Sequence, residues 1–349
     1  MDLRSANFWR TALAEAAACC DPAIRIMEVC GTHTHAIAKN NLRELLPENV
    51  KLISGPGCPI CVSGVLFIEK IRTLLRSGAT VAMFGDLLRI PGVNGSLMGE
   101  KNLKLVYSPE DALAFALDNP DKETVFAAVG FAPTLSAAAA LMQGCTESKV
   151  KNFSLLADFK EITPVLTKLC RTRQLSGLIL PGHVASVTGC NYFKNLHIPA
   201  VVTGFEPENI LHAIKLILEA AAAKDNDFLF NDYPSAVRDN GNTFALQLID
   251  EYFEKSASVW RGLGEIPESG WTLKNAYAEF DAEKRFDLSQ VKGRENPACR
   301  CGEVLTGLID PQDCPLFGKV CVPDNPVGAC MSSSEGACSA AYHYQKGAL

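Results

Sequence analysis

The chain has 349 residues, of which 48% are hydrophobic and 21% charged, the composition of an ordered globular protein rather than a disordered one. Its formal net charge is −6 with no dense Lys/Arg stripe, which argues against partnership with nucleic acid or with an anionic membrane surface. No apolar stretch reaches the roughly 18 residues needed to span a bilayer. The opening segment, Met1 to Asp21, carries Asp2, Arg4, Arg10 and Glu15 among alanines and suits a surface helix better than a secretion signal, so the expected location is the cytoplasm.

In chain order, β-branched runs predict strands at Ile24–Val29, Val50–Ser54, Thr80–Phe84 and Leu103–Tyr107. Helical patterns lie between and after them at Thr34–Leu46, Gly64–Arg76 and Pro109–Leu117. The scheme repeats with strands at Thr124–Val129, Phe153–Ala157, Gly177–Leu180 and Ala200–Thr203. Helices are expected at Thr134–Met142, Lys160–Cys170, Val184–Gly189, Pro207–Ala222 and Asn242–Ser256. Alternating strands and helices predict an α/β fold with parallel sheets covered on both faces. Two runs of four strands suggest two Rossmann-like lobes with a cleft between them, at residues 1–118 and 119–225, followed by a Cys-rich domain at 226–349. A closed eight-stranded barrel is the alternative. Most strands end in a glycine-bearing turn, and ligand sites in open parallel sheets gather at the carboxyl ends of strands. Asp86, His183 and Glu206 lie in such turns and are weaker cleft candidates; no turn matches a nucleotide-binding motif.

Fourteen cysteines in a chain expected to meet a reducing compartment point to metal binding or thiol chemistry rather than to disulfides. Six of them, Cys299, Cys301, Cys314, Cys321, Cys330 and Cys338, fall in the last 51 residues, where the chain is rich in Pro and Gly. Cys314, Cys321, Cys330 and Cys338 are separated by six, eight and seven residues on glycine- and proline-bearing turns. Four thiolates so spaced can wrap a [4Fe–4S] cube, whereas a structural zinc site more often uses tight C-x₂₋₄-C pairs. Zinc and metal-free thiols remain the alternatives. Cys299 and Cys301 form a C-x-C pair that can replace one or two of the four or act as a redox pair beside them. Such a cluster would stand in for the core that a loop-rich segment lacks.

Upstream, Cys58-Pro59-Ile60-Cys61 follows Gly55-Pro56-Gly57, a spacing that suits a redox dithiol or two metal ligands. Cys30-Gly31-Thr32-His33-Thr34-His35 follows a strand and opens a helix. At a helix N-terminus the thiolate, the reactive form, is favoured for both Cys30 and the Cys58/Cys61 pair. His33 and His35 cannot both share a helical face with Cys30, so one is a candidate for orienting a ligand or transferring a proton and the other structural. His33 is the candidate site residue, with Cys30, Cys58 and Cys61.

These segments resemble the HypD family of hydrogenase maturation factors. The resemblance is carried by Glu28–His35, Gly55–Val62, Pro181-Gly182-His183-Val184, Gly204-Phe205-Glu206-Pro207, Trp260-Arg261-Gly262-Leu263-Gly264 and the tail from Cys299 to Tyr344, in order over nearly the whole chain. It implies a scaffold, rather than a turnover enzyme, on which the Fe(CN)2CO group of [NiFe]-hydrogenase is built together with a HypC-type small chaperone. Cyanide would arrive from a HypE-type partner, itself charged by a HypF-type carbamoyltransferase. By the same resemblance Cys30 holds the iron, Cys58 and Cys61 are a redox-active pair beside it, and Cys314, Cys321, Cys330 and Cys338 bind a [4Fe–4S] cluster that exchanges electrons with those thiols. One departure stands out: Gly130-Phe131-Ala132-Pro133-Thr134 occupies the place where the family reads Gly-Phe-Glu-Thr-Thr, so a carboxylate is missing from a cleft-facing loop. Two rival expectations are a ferredoxin-linked disulfide reductase using Cys58 and Cys61, and a binding protein with a structural metal in its tail.

Overall fold

The computed structural model describes residues 2–20 and 23–344. Met1 and Asp21, the ends of the expected opening helix, lie outside the described residues; between them Leu3–Ala17 is helical. Asp2 caps this helix by accepting the Ser5 N–H at 2.8 Å. No helix among the described residues is long and apolar enough to cross a membrane.

The strands are β1 (Ile24–Glu28), β2 (Val50–Ser54), β3 (Thr80–Met83), β4 (Leu103–Leu105), β5 (Thr124–Gly130), β6 (Phe153–Lys160), β7 (Gly177–Pro181), β8 (Ala200–Thr203), β9 (Leu229–Asn231), β10 (Phe253–Trp260) and β11 (Gly264–Leu273). They form two sheets. The first has the order β2-β1-β7-β8-β9 and is parallel throughout. The second has the order β10-β11-β6-β5-β3-β4, with a parallel core and an antiparallel hairpin at one edge. Every residue of β5 and of β7 is buried, as expected of central strands covered on both faces. The α/β class with parallel-dominated, Rossmann-like sheets is therefore the architecture.

The division of the chain is different from the one expected. β1 and β2 pair with β7–β9, while β3–β6 build the other sheet, so the chain leaves the first sheet after β2 and returns to it at β7. Cuts at residues 118 and 225 do not separate the sheets. Nor is 226–349 a unit apart, because β9 completes the first sheet and β10–β11 extend the second. The physical reason is pairing at long range: Ile26, Met27 and Glu28 align with Gly177, Leu178 and Ile179, a register that no local pattern announces.

Two local readings are also corrected. The helix expected at Thr34–Leu46 begins at Gly31 and stops at Lys39, where Asn41 takes a left-handed conformation before a short turn at Leu42–Leu45. The helix expected to reach Ser256 ends at Tyr252, and the chain enters the β10–β11 hairpin. Much of β10 is solvent-facing, so its polar residues disguise a strand.

From Ala282 to Tyr344 the chain forms short helices and turns laid over both sheets. One apolar cluster contains Met27 and Ile53 of the first sheet, Val81 and Val125 of the second, and Cys301, Val304, Cys330 and Cys338 of the tail. The tail thus shares a core with the sheets instead of carrying its own.

Candidate functional site

Cys30 lies just past the carboxyl end of β1 and caps the helix Gly31–Lys39 from its extended backbone. Glu28, fully buried, braces it from below: one carboxylate oxygen accepts the Cys30 N–H at 3.3 Å, and the other accepts the Thr34 hydroxyl at 2.6 Å. The loop after β2 comes to the same place. Gly31 N–H donates to the Gly57 carbonyl at 3.2 Å, and a Cβ on Gly57 would sit 2.2 Å from the Cys30 nitrogen. Only glycine permits that approach.

Gly57 leads directly into the short helix Pro59–Val62, with Cys58 as its cap. The Cys58 sulfur accepts the Cys61 N–H at 3.3 Å and lies 3.4 Å from the Ser333 hydroxyl of the tail. Cys61, with no exposed surface, lies against the thiol of Cys330. One tight turn therefore reaches Cys30 through its first residues and the tail through its last.

In the tail, Cys299, Cys301, Cys314, Cys321, Cys330 and Cys338 line one cavity together with Leu316, Phe317, Gly328 and Met331. Cys330 is the hub: its sulfur is 2.8 Å from that of Cys301 and also touches Cys338 and Cys61. Among the described residues no three such side chains converge at metal-ligand spacing. What the structure offers is an apolar pocket walled by soft sulfur donors, which suits an iron–sulfur centre in donor type. Each corner of a cube takes one sulfur, so binding would spread the touching thiols apart. The four cysteines expected as ligands all face this cavity, and so do Cys299 and Cys301, which spacing alone left open.

Burial, not the helix N-terminus, governs the protonation of Cys30 and Cys61. It pushes Cys30 up to about 12, overriding the His33 and Thr32 N–H groups, and Glu335 and Glu28 add to the rise. Burial likewise drives Cys61 well above the ordinary thiol range. The expected thiolate stabilisation is thus overturned for Cys30 and Cys61: desolvation of the charged form exceeds what a helix end contributes. A bound metal ion changes this balance, because a coordinating thiol loses its proton outright.

His33 and His35 separate as the helical offset requires. His33 is fully buried, its Nε2–H donates to the Gly204 carbonyl at 2.9 Å, and burial lowers its pKa to about 4. It is a neutral group that ties Cys30's helix to the end of β8. Phe205 lies between the rings of His33 and His183, with centroids 4.9 and 4.1 Å away. His35 faces the tail, 3.4 Å from the Ser334 carbonyl. The turns after β1, β2, β7 and β8 do gather at one end of the first sheet. In the second sheet, the departing Ala132-Pro133 pair opens the helix Ala132–Ser148 rather than lying in a loop, and Phe131 at its cap packs against Trp260, with ring centroids 6.1 Å apart.

Three residues escaped the reading of the sequence. Glu28 is a lone carboxylate at a strand end, and nothing local marks it as the brace of Cys30. Glu335 accepts the Thr32 hydroxyl at 2.7 Å and so ties the tail to the Cys30 helix. Arg261 donates to carbonyls of the Cys58–Cys61 turn from the far hairpin. The only signal was that each falls in a stretch carrying the resemblance.

The family model described as "HypD: Hydrogenase formation hypA family" matches residues 6–345. The chain belongs to the HypD family. Among its curated relatives, hydrogenase maturation factor HypD2 of Bradyrhizobium diazoefficiens is 38% identical over 92% of this chain and 89% of its own length. Hydrogenase maturation factor HypD of Escherichia coli is 40% identical, covering 93% and 90%, and that of Azotobacter vinelandii is 40% identical, covering 92% and 89%. HypD membership thus spans both sheets and the tail, and Cys30, Cys58, Cys61 and the six tail cysteines all lie within the matched region.

Proposed function

We propose that this chain is the scaffold on which the Fe(CN)2CO group of [NiFe]-hydrogenase is assembled. In this reading Cys30 holds the cargo iron, a HypC-type small chaperone completes its coordination, and a HypE-type partner brings cyanide. The observation that carries it is the bridging turn: Gly57 abuts Cys30 at one end, and Cys61 touches Cys330 at the other.

Each residue has a task that follows from its surroundings. Glu28 fixes the Cys30 backbone, and the N–H groups of Thr32 and His33 face its sulfur at the helix end. Low-spin iron bearing cyanide and carbonyl is electron-rich, and a soft thiolate is a suitable donor for it. Loading iron therefore releases the Cys30 proton, and the neutral, buried His33 keeps the helix in place without adding charge. Cys58 and Cys61 interconvert between dithiol and disulfide, which moves two electrons and two protons. Cys314, Cys321, Cys330 and Cys338 would hold a [4Fe–4S] cluster, which when bound would pass on single electrons from an external one-electron donor, two in succession for each disulfide reduced. Contact between Cys61 and Cys330 makes the route from one centre to the other short.

The test is infrared spectroscopy on the chain purified anaerobically with its small chaperone after co-expression of the other maturation partners. Cyanide and carbonyl stretching bands support the scaffold; spectra without them, from preparations that retain the chaperone, reject it.

A further inference from the structure

Arg261 sits at the turn between β10 and β11 and is only 8% exposed. Its Nε donates to the Cys61 carbonyl at 2.9 Å and its Nη2 to the Ser63 carbonyl at 2.6 Å. Its own backbone N–H donates to the Val62 carbonyl at 2.8 Å. One residue of the second sheet thus holds three consecutive carbonyls. They belong to the last two residues and the C-cap of a helix too short to satisfy them itself.

The rest of the guanidinium reaches elsewhere. Nη1 pairs with Glu295, whose other oxygen accepts the Val65 N–H at 2.9 Å, at the start of the next helix. The positive charge faces Cys301, Cys330 and Cys299. Gly262, the next residue, has a φ of +77°, and a Cβ there would lie 2.3 Å from the Cα of Gly302. The hairpin turn is therefore pressed between the Cys58–Cys61 turn and the Cys299–Cys301 segment.

We propose that Arg261 is a positioning residue that registers the Cys58–Cys61 turn against the cysteine-lined cavity, so that the Cys61 thiol meets Cys330. A planar fork is needed for this, because two carbonyls are reached by two nitrogens of one rigid group. The proposal rests on the scaffold reading only for the use made of the contact; the contact itself can be tested without cargo iron.

The test uses the full chain with Cys58→Ala, stripped of iron and treated with diamide. Two thiols lose two electrons and two protons to diamide, one S–S bond forms, and diamide becomes the hydrazine. Peptide mass spectrometry then reads how Cys330 divides between Cys61 and Cys301. The Cys301 pairing is the internal reference, since both residues belong to the tail and their sulfurs are 2.8 Å apart. Arg261→Met should lower the Cys61-to-Cys301 ratio by at least about tenfold, the effect of losing even one charge-assisted hydrogen bond. Loss of the charge also disfavours the Cys301 thiolate, which by itself moves the ratio the other way.

Arg261→Lys keeps the charge without the fork and should still lower the ratio, about threefold, at a near-parental melting temperature. It decides the matter if Arg261→Met does not fold. An unchanged ratio in the folded lysine variant overturns the proposal, and so does a lowered melting temperature with the ratio intact, which would leave Arg261 a support of the fold alone. Either failure leaves the scaffold reading to its own infrared test.

Discussion

The Cys61 thiol lies against the Cys330 thiol, joining a turn near the start of the chain to a cavity near its end. The contact exists because the tail packs over the helix Pro59–Val62 and shares its core. It makes a sharp distinction among the cysteines. Cys330→Ala should remove the brown iron–sulfur absorbance and the bound sulfide, whereas Cys61→Ala should leave both in place and abolish only the Cys58/Cys61 disulfide. Sulfide analysis and thiol counting after denaturation check the pair. Loss of the absorbance in Cys61→Ala would make Cys61 a ligand and the division of roles wrong.

Gly57 provides a steric test of the approach to Cys30. In Gly57→Ala the added methyl would lie 2.2 Å from the Cys30 nitrogen and 2.3 Å from the Val29 carbonyl carbon, both backbone atoms that cannot rotate away. The loop must shift, at a cost of about 1–3 kcal/mol typical of overpacking. Urea denaturation should show the midpoint falling with an unchanged slope. An unaltered midpoint would mean that the loop has room to move.

Glu161 predicts a pH dependence that involves none of the cysteines. It is 5% exposed, one oxygen accepts the Trp271 indole N–H at 3.1 Å, and burial raises its pKa from 4.5 to about 7. The raised value means that the folded chain binds the proton more tightly. The associated stability is present in full below about pH 4.5 and is lost as pH rises through about 7. Glu161→Gln keeps an acceptor for Trp271 and removes the titration. The stability of the variant relative to the parent should therefore rise between pH 5 and 8, by up to about 3 kcal/mol. A constant difference across that range would show that Glu161 is ionised in the folded chain.

The class of fold was legible because buried central strands such as Val125–Val129 are unbroken apolar runs between amphipathic helices. The pairing of β1 with β7 was not, since register between distant segments leaves no local period. The β10–β11 hairpin was hidden for a different reason. Glu254, Lys255 and Val259 face solvent on a strand at the sheet edge, so the apolar alternation is incomplete. Within the site, the cysteines announced themselves by number and spacing. Arg261 and Glu28 did not, because what they hold is backbone: carbonyls at residues 61–63 and the Cys30 N–H. Such partners become visible only when the chain is folded.

The central claim is that Cys30 holds a cargo iron separately from the cluster of the tail. It is tested most directly by comparing the infrared spectrum and the visible absorbance of the parent chain and of Cys30→Ala, each purified anaerobically with the small chaperone. The account predicts that the variant loses the cyanide and carbonyl bands and keeps the iron–sulfur absorbance. Bands that persist without Cys30, or bands and absorbance that vanish together, would contradict it.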